Sequence, residues 1–590
     1  MSEAKVLFNL SKEDEFLRVL EQIAANGAAS TGGAALDAAM QAVLDGTNTT
    51  RVWEAWYPRA AAADSTASKY SLICRFANML ASAWKDKTYT LRSYKASVSS
   101  SDAMTPMDDL ADIAAAAQLC IEDTNPVADW ADEDPMTWYI RANALSLADG
   151  TMNITHFEGE ADFDISGETA PVYTFALALW IKEWEDASYN YISFRTTRGG
   201  GFYPADEDVD PTGAKRPVTW HATFPGGLNA SGGLTSGAGK APANFMGATT
   251  GLTNARKVTA YEGLWSDNDT IYVLRQWQLK HWTLENSNIC EGCTNYTAQY
   301  KVARAETGAT RVLLTPEQAA NFIVGSSVEV GDPGDATSHD RGNANMHDDW
   351  TNVRISSITS VEIDGTTYGA LNLDTQTPCD ITATCWVSTM PWWSGVTEDL
   401  PGHKDGAIHS LTAGKAPIRI AGIELMHGAY DIGLEPLYDV TANAEAGYDY
   451  AVYECRNSEQ QAGAITNYTD TGIRLTGKAS GWEYVKEFVK TKLGVLLPKT
   501  FAGSSTGWYK SSFYGTYSAG VRCPWRFGNL NNTGNAGLAC ENGNNNPTNA
   551  NWNGRPRIVS LKAGFFLLRC VFISMRKQKS DRTGTVCRAL

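Results

Sequence analysis

The sequence predicts a multi-domain chain with a helical N-terminal module, β-rich middle domains and an α+β C-terminal domain. Three observations predict this fold class. The chain has 590 residues, more than a single apolar core serves. Up to about residue 150 it is rich in Ala, with apolar side chains at helical spacing. Beyond that point the pattern turns to alternation with many aromatics, and the whole chain carries 19 Trp and 24 Tyr, residues that fit pleated sheets. The expected divisions are 1–150, 151–294, 295–395 and 396–590.

In the first division Ser11 is placed to cap EDEFLRVLEQIAANG, where Phe16, Leu17, Leu20 and Ile23 share a face and Gly27 stops the helix. ALDAAMQAVLDG repeats the pattern, and 68–84 and 107–123 add two more helices. Such a module suits docking or oligomerisation. In the second division MNITHFEGEADFDI and APVYTFALALWIKEWEDASYNYISFRTT read as strands. The glycine-rich stretch 225–252 reads as a long mobile loop, and IYVLRQWQLKHW returns to strand character. The third division offers RVLLT, SSVEV, VRISSITSVEI and TYGALNL as strands between polar turns. In the fourth, IRIAGIELM and YDYAVYEC read as strands and RIVSLKAGFFLLRCVFI as closing strands. SGWEYVKEFVKTKLG reads as a helix with Trp482, Val485, Phe488 and Val489 on its apolar side.

The net charge of −17 argues against general affinity for nucleic acid or anionic lipid, which need basic surfaces. The opening residues MSEAKVLFNLSKEDEF lack the apolar run of a secretory signal, and no stretch reaches the roughly 20 apolar residues of a membrane helix. The expectation is a soluble chain made in a cytoplasm, with no membrane insertion. Eleven scattered Cys suggest buried thiols rather than a disulfide framework.

Catalytic signatures are sparse, and the expectation is no enzyme and no cofactor. There is no G-x-S-x-G elbow, phosphate loop or H-E-x-x-H motif. Cys290 and Cys293 form a C-x-x-C, but its distance from Cys379 and Cys385 does not match a zinc knuckle. His339, Asp340, His347, Asp348 and Asp349 sit in a polar stretch that reads as a solvated loop.

The most informative segment is 529–553, NLNNTGNAGLACENGNNNPTNANWN, in which eleven of twenty-five positions are Asn. Leu530, Gly534, Ala536, Gly537, Leu538, Pro547 and Trp552 interrupt the run, so it reads as an apolar frame with display positions between. Asn donates, accepts and tolerates turns, which suits recognition better than chemistry. The candidate ligand-binding residues are Asn529, Asn531, Asn532, Asn535, Glu541, Asn542, Asn544, Asn545, Asn546, Asn549, Asn551 and Asn553. Trp508, Tyr509, Tyr514, Trp525 and Arg526 join them as neighbouring aromatic and basic anchors.

Residues 525–558, WRFGNLNNTGNAGLACENGNNNPTNANWNGRPRI, resemble the variable region of proteins diversified by diversity-generating retroelements. In that family adenine-directed copying rewrites Asn codons near the end of the gene. The resemblance implies a C-type-lectin-like fold for the C-terminal domain, related to that of formylglycine-generating enzymes. It also implies a phage tail-fibre or tail-tip adhesin, part of a virion tail assembled in the host cytoplasm. Its partners would be a bacterial surface receptor, protein or glycan, and other virion tail proteins, and it would form a homo-oligomer, a trimer. The alternatives are a structural virion protein with a non-specific lectin-like domain, and a glycan depolymerase. The copper-binding Cys pair of formylglycine-generating enzymes is not matched, because Cys523 and Cys540 are seventeen residues apart.

Overall fold

Leu72, Ile73, Phe76, Ala77 and Leu80 recur at helical spacing and form the buried stripe of the helix Lys69–Ala83. This is the helix expected over 68–84, and Phe76 meets Trp138 edge-on at 5.1 Å. The computed structural model describes residues 69–560, apart from 117–118, 121–135, 137, 210–214, 335–338, 401–404, 410–412 and 491–495. The helices expected at 12–27 and 35–46, and the last closing strand and its basic tail, lie outside the described residues. The described chain is mostly β-sheet with few helices.

The helix expected over 107–123 is replaced, in its described residues, by extended structure. Met104–Asp108 is an edge strand paired antiparallel with Tyr89–Tyr94, Asp109–Asp112 is a 3-10 turn, and Leu119–Cys120 pairs in parallel with Gly406–Ala407. Pro106 fits an edge strand, and the Ala-rich residues 114–116 are neither helix nor strand.

Met104–Asp108, Tyr89–Tyr94, Tyr189–Arg195, Trp180–Glu185 and Tyr203–Pro204 form a five-stranded antiparallel sheet in that order. A four-stranded sheet follows the order Val218–Ala222, Val172–Leu177, Tyr139–Ser146, Met152–Phe157. The segment read as a strand at 271–282 belongs to a helix, Asp267–His281. This helix is buried on nearly every side, so it lacks the polar stripe that marks a surface helix. Its start is written in Ser266-x-x-Asp269: the Asp269 carboxylate accepts from the Ser266 amide at 3.0 Å and hydroxyl at 2.7 Å.

The glycine-rich stretch is an ordered part of the fold. Gly226–Leu228 and Leu234–Ser236 form a hairpin, and Ala248–Ala255 is a helix. Its glycines permit close approach: a Cβ on Gly226 would stand 1.8 Å from the Pro556 carbonyl oxygen, and one on Gly237 1.9 Å from that of Ser166.

The four strands expected in the third division join two that were not expected, Gln299–Lys301 and Trp386–Met390, in a six-stranded sheet of the order Gln299–Lys301, Trp386–Met390, Ser327–Gly331, Trp350–Ile363, Thr366–Leu373, Arg311–Leu314. Val312, Val328, Val330, Leu371 and Val387 build its own apolar core. In the fourth division IRIAGIELM is a tight hairpin of Ile418–Ile420 and Ile423–Leu425, and Tyr448–Glu454 is a strand as expected. The helix expected over 480–494 is instead the strand Gly481–Lys490, paired with Ser512–Gly515 and Leu496–Phe501. It belongs to a seven-stranded sheet whose later members are Glu541–Asn542, Trp525–Arg526, Tyr430–Ile432 and Gly554–Pro556. One apolar core joins Leu72, Phe175, Trp220, Tyr430, Trp525 and Ile558, so the C-terminal strands pack into the same interior as the first helix. No helix among the described residues is long and apolar enough to cross a membrane.

Candidate functional site

The Asn-rich run is folded onto the centre of the seven-stranded sheet. Trp525–Arg526 lies between Tyr430–Ile432 and Glu541–Asn542, and Tyr430–Ile432 pairs in parallel with Gly554–Pro556. The apolar residues that interrupt the run are the anchors: Phe527, Leu530, Ala536, Leu538 and Trp552 are all buried. Phe527 accepts the Gly537 amide and donates its own to Cys540, while Leu530 bonds across to Gly428 and Tyr296.

Three buried arginines fasten this segment to the rest of the molecule. Arg526 lies between Asp267, at the start of the buried helix, and Glu541 at 2.8 Å, and Glu541 also accepts from the Tyr438 hydroxyl. Burial works against the Arg526 charge, but the two carboxylates more than offset it and raise its pKa. Arg555 donates to the Gly226 and Trp392 carbonyls. Arg557 pairs with Asp431 at 2.9 Å, donates to the Glu424 and Ala222 carbonyls, and lies 4.4 Å over the Trp265 ring.

His427 completes this last cluster, with its Nε2 3.1 Å from Asp431. Burial pushes the Asp431 carboxyl up, yet Arg557 and His427 hold it below its ordinary value. Burial depresses His427 to about 4. An unfolded His titrates near 6.5, so between these values the unfolded chain binds the extra proton. Stability from this residue is therefore complete above about pH 6.5 and falls as the pH drops toward 4. The expected loss is about 1.4 kcal/mol at pH 5.5 relative to pH 8. Urea unfolding of the natural protein and of His427→Gln at both pH values checks it: the variant should lack that part of the acid loss.

The structure divides the sequence-derived candidates into two groups. Trp525, Arg526, Asn529, Asn532 and Glu541 are buried and offer no contact surface. Trp508 and Tyr509 are half-buried and serve other contacts: the Trp508 amide donates to Ser100, and Tyr509 packs edge-on against Phe488 at 4.7 Å. Asn531 and Asn551 are exposed, and Asn535, Asn542, Asn544, Asn545, Asn546, Asn549 and Asn553 are partly exposed. Tyr514 is partly exposed beside them, in register with Asn542.

Many of the amides also shape the backbone. The Asn529 side chain accepts from the Asn531 amide at 3.0 Å, Asn542 from Asn544 at 3.0 Å, and Asn546 from Thr548 at 2.9 Å. The Asn532 side chain accepts from the Asn529 amide at 2.8 Å, and Asn532 and Asn542 both hydrogen-bond the buried Tyr430 hydroxyl. The Asn529, Asn542 and Asn546 contacts are Asx turns, which follow from a short side-chain carbonyl two bonds from the chain. Asn544 and Asn535 accept from the Thr516 and Ser512 hydroxyls.

Two aromatics missed in the sequence border this face. Trp482 meets Tyr514 edge-on at 4.9 Å, and the Tyr484 hydroxyl donates to the Gly534 carbonyl at 3.2 Å. They were hidden by the helical reading of 480–494; strand alternation places 482 and 484 on one side.

The polar stretch read as a solvated loop is a clasp on the end of the run. Arg341 is buried, donates to Thr389 and lies 5.2 Å over the Trp552 ring. His347 pairs with Glu329 at 2.8 Å, and His339 stacks on Trp386 at 3.9 Å. Cys523 and Cys540 are both buried; burial pushes the Cys523 thiol up to about 12 and raises Cys540 as well, which disfavours thiolate chemistry. Cys379 and Cys385 both hydrogen-bond Asp349, while Cys290 and Cys293 belong to other apolar clusters. Among the described residues no three His, Cys, Asp or Glu side chains group as metal ligands. No protein-family model matches this sequence, and no curated protein is similar to it.

Proposed function

We propose that the chain is a phage tail adhesin whose C-terminal, C-type-lectin-like domain binds a bacterial surface receptor through a diversified Asn-rich face. The observation that carries this reading is the separation of duties within 525–558: apolar anchors and three buried arginines hold the backbone, while Asn531, Asn551 and their partly exposed neighbours stand outward. A surface can vary residue by residue only if its variable side chains are not needed inside, and exposed substitutions of this kind change stability by about ±0.5 kcal/mol or less. Tyr514, Trp482 and Tyr484 supply rigid contact area beside the adaptable amides. Diversification is confined to the outward positions, and Asn529 and Asn532 belong to the frame. The chain acts in the virion tail as a homotrimer joined to other tail proteins, where avidity offsets a weak single site. Binding needs no metal or cofactor.

The test is to exchange the side chains at Asn531, Asn535, Asn544, Asn545, Asn549 and Asn551 for a different set within the intact protein. An adhesin changes the cells it binds while its melting temperature stays within a few degrees. Unchanged binding with an intact fold would assign the domain to virion structure instead.

A further inference from the structure

A second surface lies on the five-stranded sheet, outside the Asn-rich domain. Strand alternation turns Leu91, Ile181 and Phe194 into the core and puts Arg92, Lys182 and Arg195 on the opposite side, where Thr90 and Ser193 are themselves covered. On the outward side Trp184 stacks on Tyr191 at 5.0 Å with their planes 3° apart, and Tyr94 lies 4.7 Å from Tyr189. Trp184 is 40% and Tyr94 39% exposed, among the most exposed large aromatics described.

Cations are set among these rings. Arg92 lies 4.5 Å over Tyr189, and Lys182 lies 5.4 Å from the Trp184 ring. Arg195 follows on the same face, in register with Trp180. Among the described residues none of these three pairs with a carboxylate, and the Nε atoms of Arg92 and Arg195 are buried without a hydrogen-bond partner. The nearby acids are already engaged: Asp186 accepts from the Ser188 and Tyr189 amides and the Tyr191 hydroxyl, and Glu185 pairs with Lys95. Three cations without a carboxylate partner thus stand beside open aromatic surface on a chain of net charge −17, with Arg195 donating to the Lys85 carbonyl at 2.9 Å and Lys182 to the Gly200 carbonyl at 3.5 Å.

We propose that this face binds an acidic polysaccharide. Exposed rings bury the C–H faces of sugar units, phenolic hydroxyls bond their hydroxyl groups, and the guanidinium groups and Lys182 take the carboxylates. A single-stranded nucleic acid fits less well. The Trp184–Tyr191 stack leaves no slot for a base between its rings.

The test uses the full chain on immobilised hyaluronate, polygalacturonate and polysialate, with dextran as the neutral polymer and an oligothymidylate as the nucleic acid. At least one acidic glycan should bind, dextran should not, and added salt should weaken binding. Trp184→Ala should weaken it about tenfold or more, Lys182→Gln less, and Thr367→Ala, exposed on the six-stranded sheet, not at all. All three variants carry exposed or half-exposed substitutions, and an unchanged melting temperature confirms the fold. The proposal is overturned if none of the acidic glycans binds, if dextran binds equally, if Trp184→Ala has no effect, or if the oligothymidylate is preferred.

Discussion

Replacing Arg526 with alanine lowers stability by about 3–5 kcal/mol, the scale for removing one partner of a buried ion pair. The side chain sits between Asp267 and Glu541, and both carboxylates are as buried as the guanidinium. Its loss leaves two buried acids with no cation, and burial already raises the Glu541 carboxyl above its ordinary value. The damage spreads, because Asp267 opens the buried helix Asp267–His281 and Arg526 opens the Asn-rich run. Neutralising all three together, as Arg526→Met with Asp267→Asn and Glu541→Gln, should recover most of the loss, since no buried charge is then orphaned. Urea midpoints of the single and triple variants make the comparison. A loss below about 1 kcal/mol for Arg526→Ala would mean that the run is not fastened through this residue.

The sequence announced some of this architecture and concealed the rest for identifiable reasons. Four strands of the six-stranded sheet were legible because they are apolar, β-branched runs set between polar turns, whether partly exposed, as in Trp350–Ile363, or buried throughout, as in Ser327–Gly331. Asp267–His281 was concealed by burial on nearly every side, and Ser266-x-x-Asp269 was the signal that marked it. In Gly481–Lys490, Trp482, Val485, Phe488 and Val489 satisfy helical spacing, but the chain resolves the ambiguity by long-range pairing with Ser512–Gly515, which local pattern does not contain. The glycines of 225–252 look the same whether they permit motion or close packing; the difference lies in Pro556, more than three hundred residues further on.

At the site, the apolar frame was legible and the side on which each amide falls was not. Leu530, Ala536, Leu538 and Trp552 are inside, as their spacing among polar residues suggested. Asn carries no mark for its role, because one amide serves an Asx turn or a binding face equally well. The charged members were misassigned for a related reason. Arg526 and Glu541 are read as surface residues from composition, and only the fold reveals that they neutralise each other with Asp267 in the interior.

The second large effect follows from the same division. Asn529 and Asn532 hold the turn that leads into the run, and their side chains are bonded to the chain and to Tyr430. Replacing both with alanine removes buried partners at about 1–2 kcal/mol each and should cost about 2–4 kcal/mol together. Replacing Asn531 and Asn551, which point to solvent, should change stability by no more than about 0.5 kcal/mol each. The two double variants remove the same groups, from the interior in one and from the exposed side in the other, where water can replace the bond that Asn551 accepts from the Trp552 amide. Denaturant unfolding of this pair is the most direct test of a rigid frame that presents replaceable amides. The Asn529 and Asn532 pair should be the weaker by at least about 2 kcal/mol. Equal stability of the two variants would contradict it.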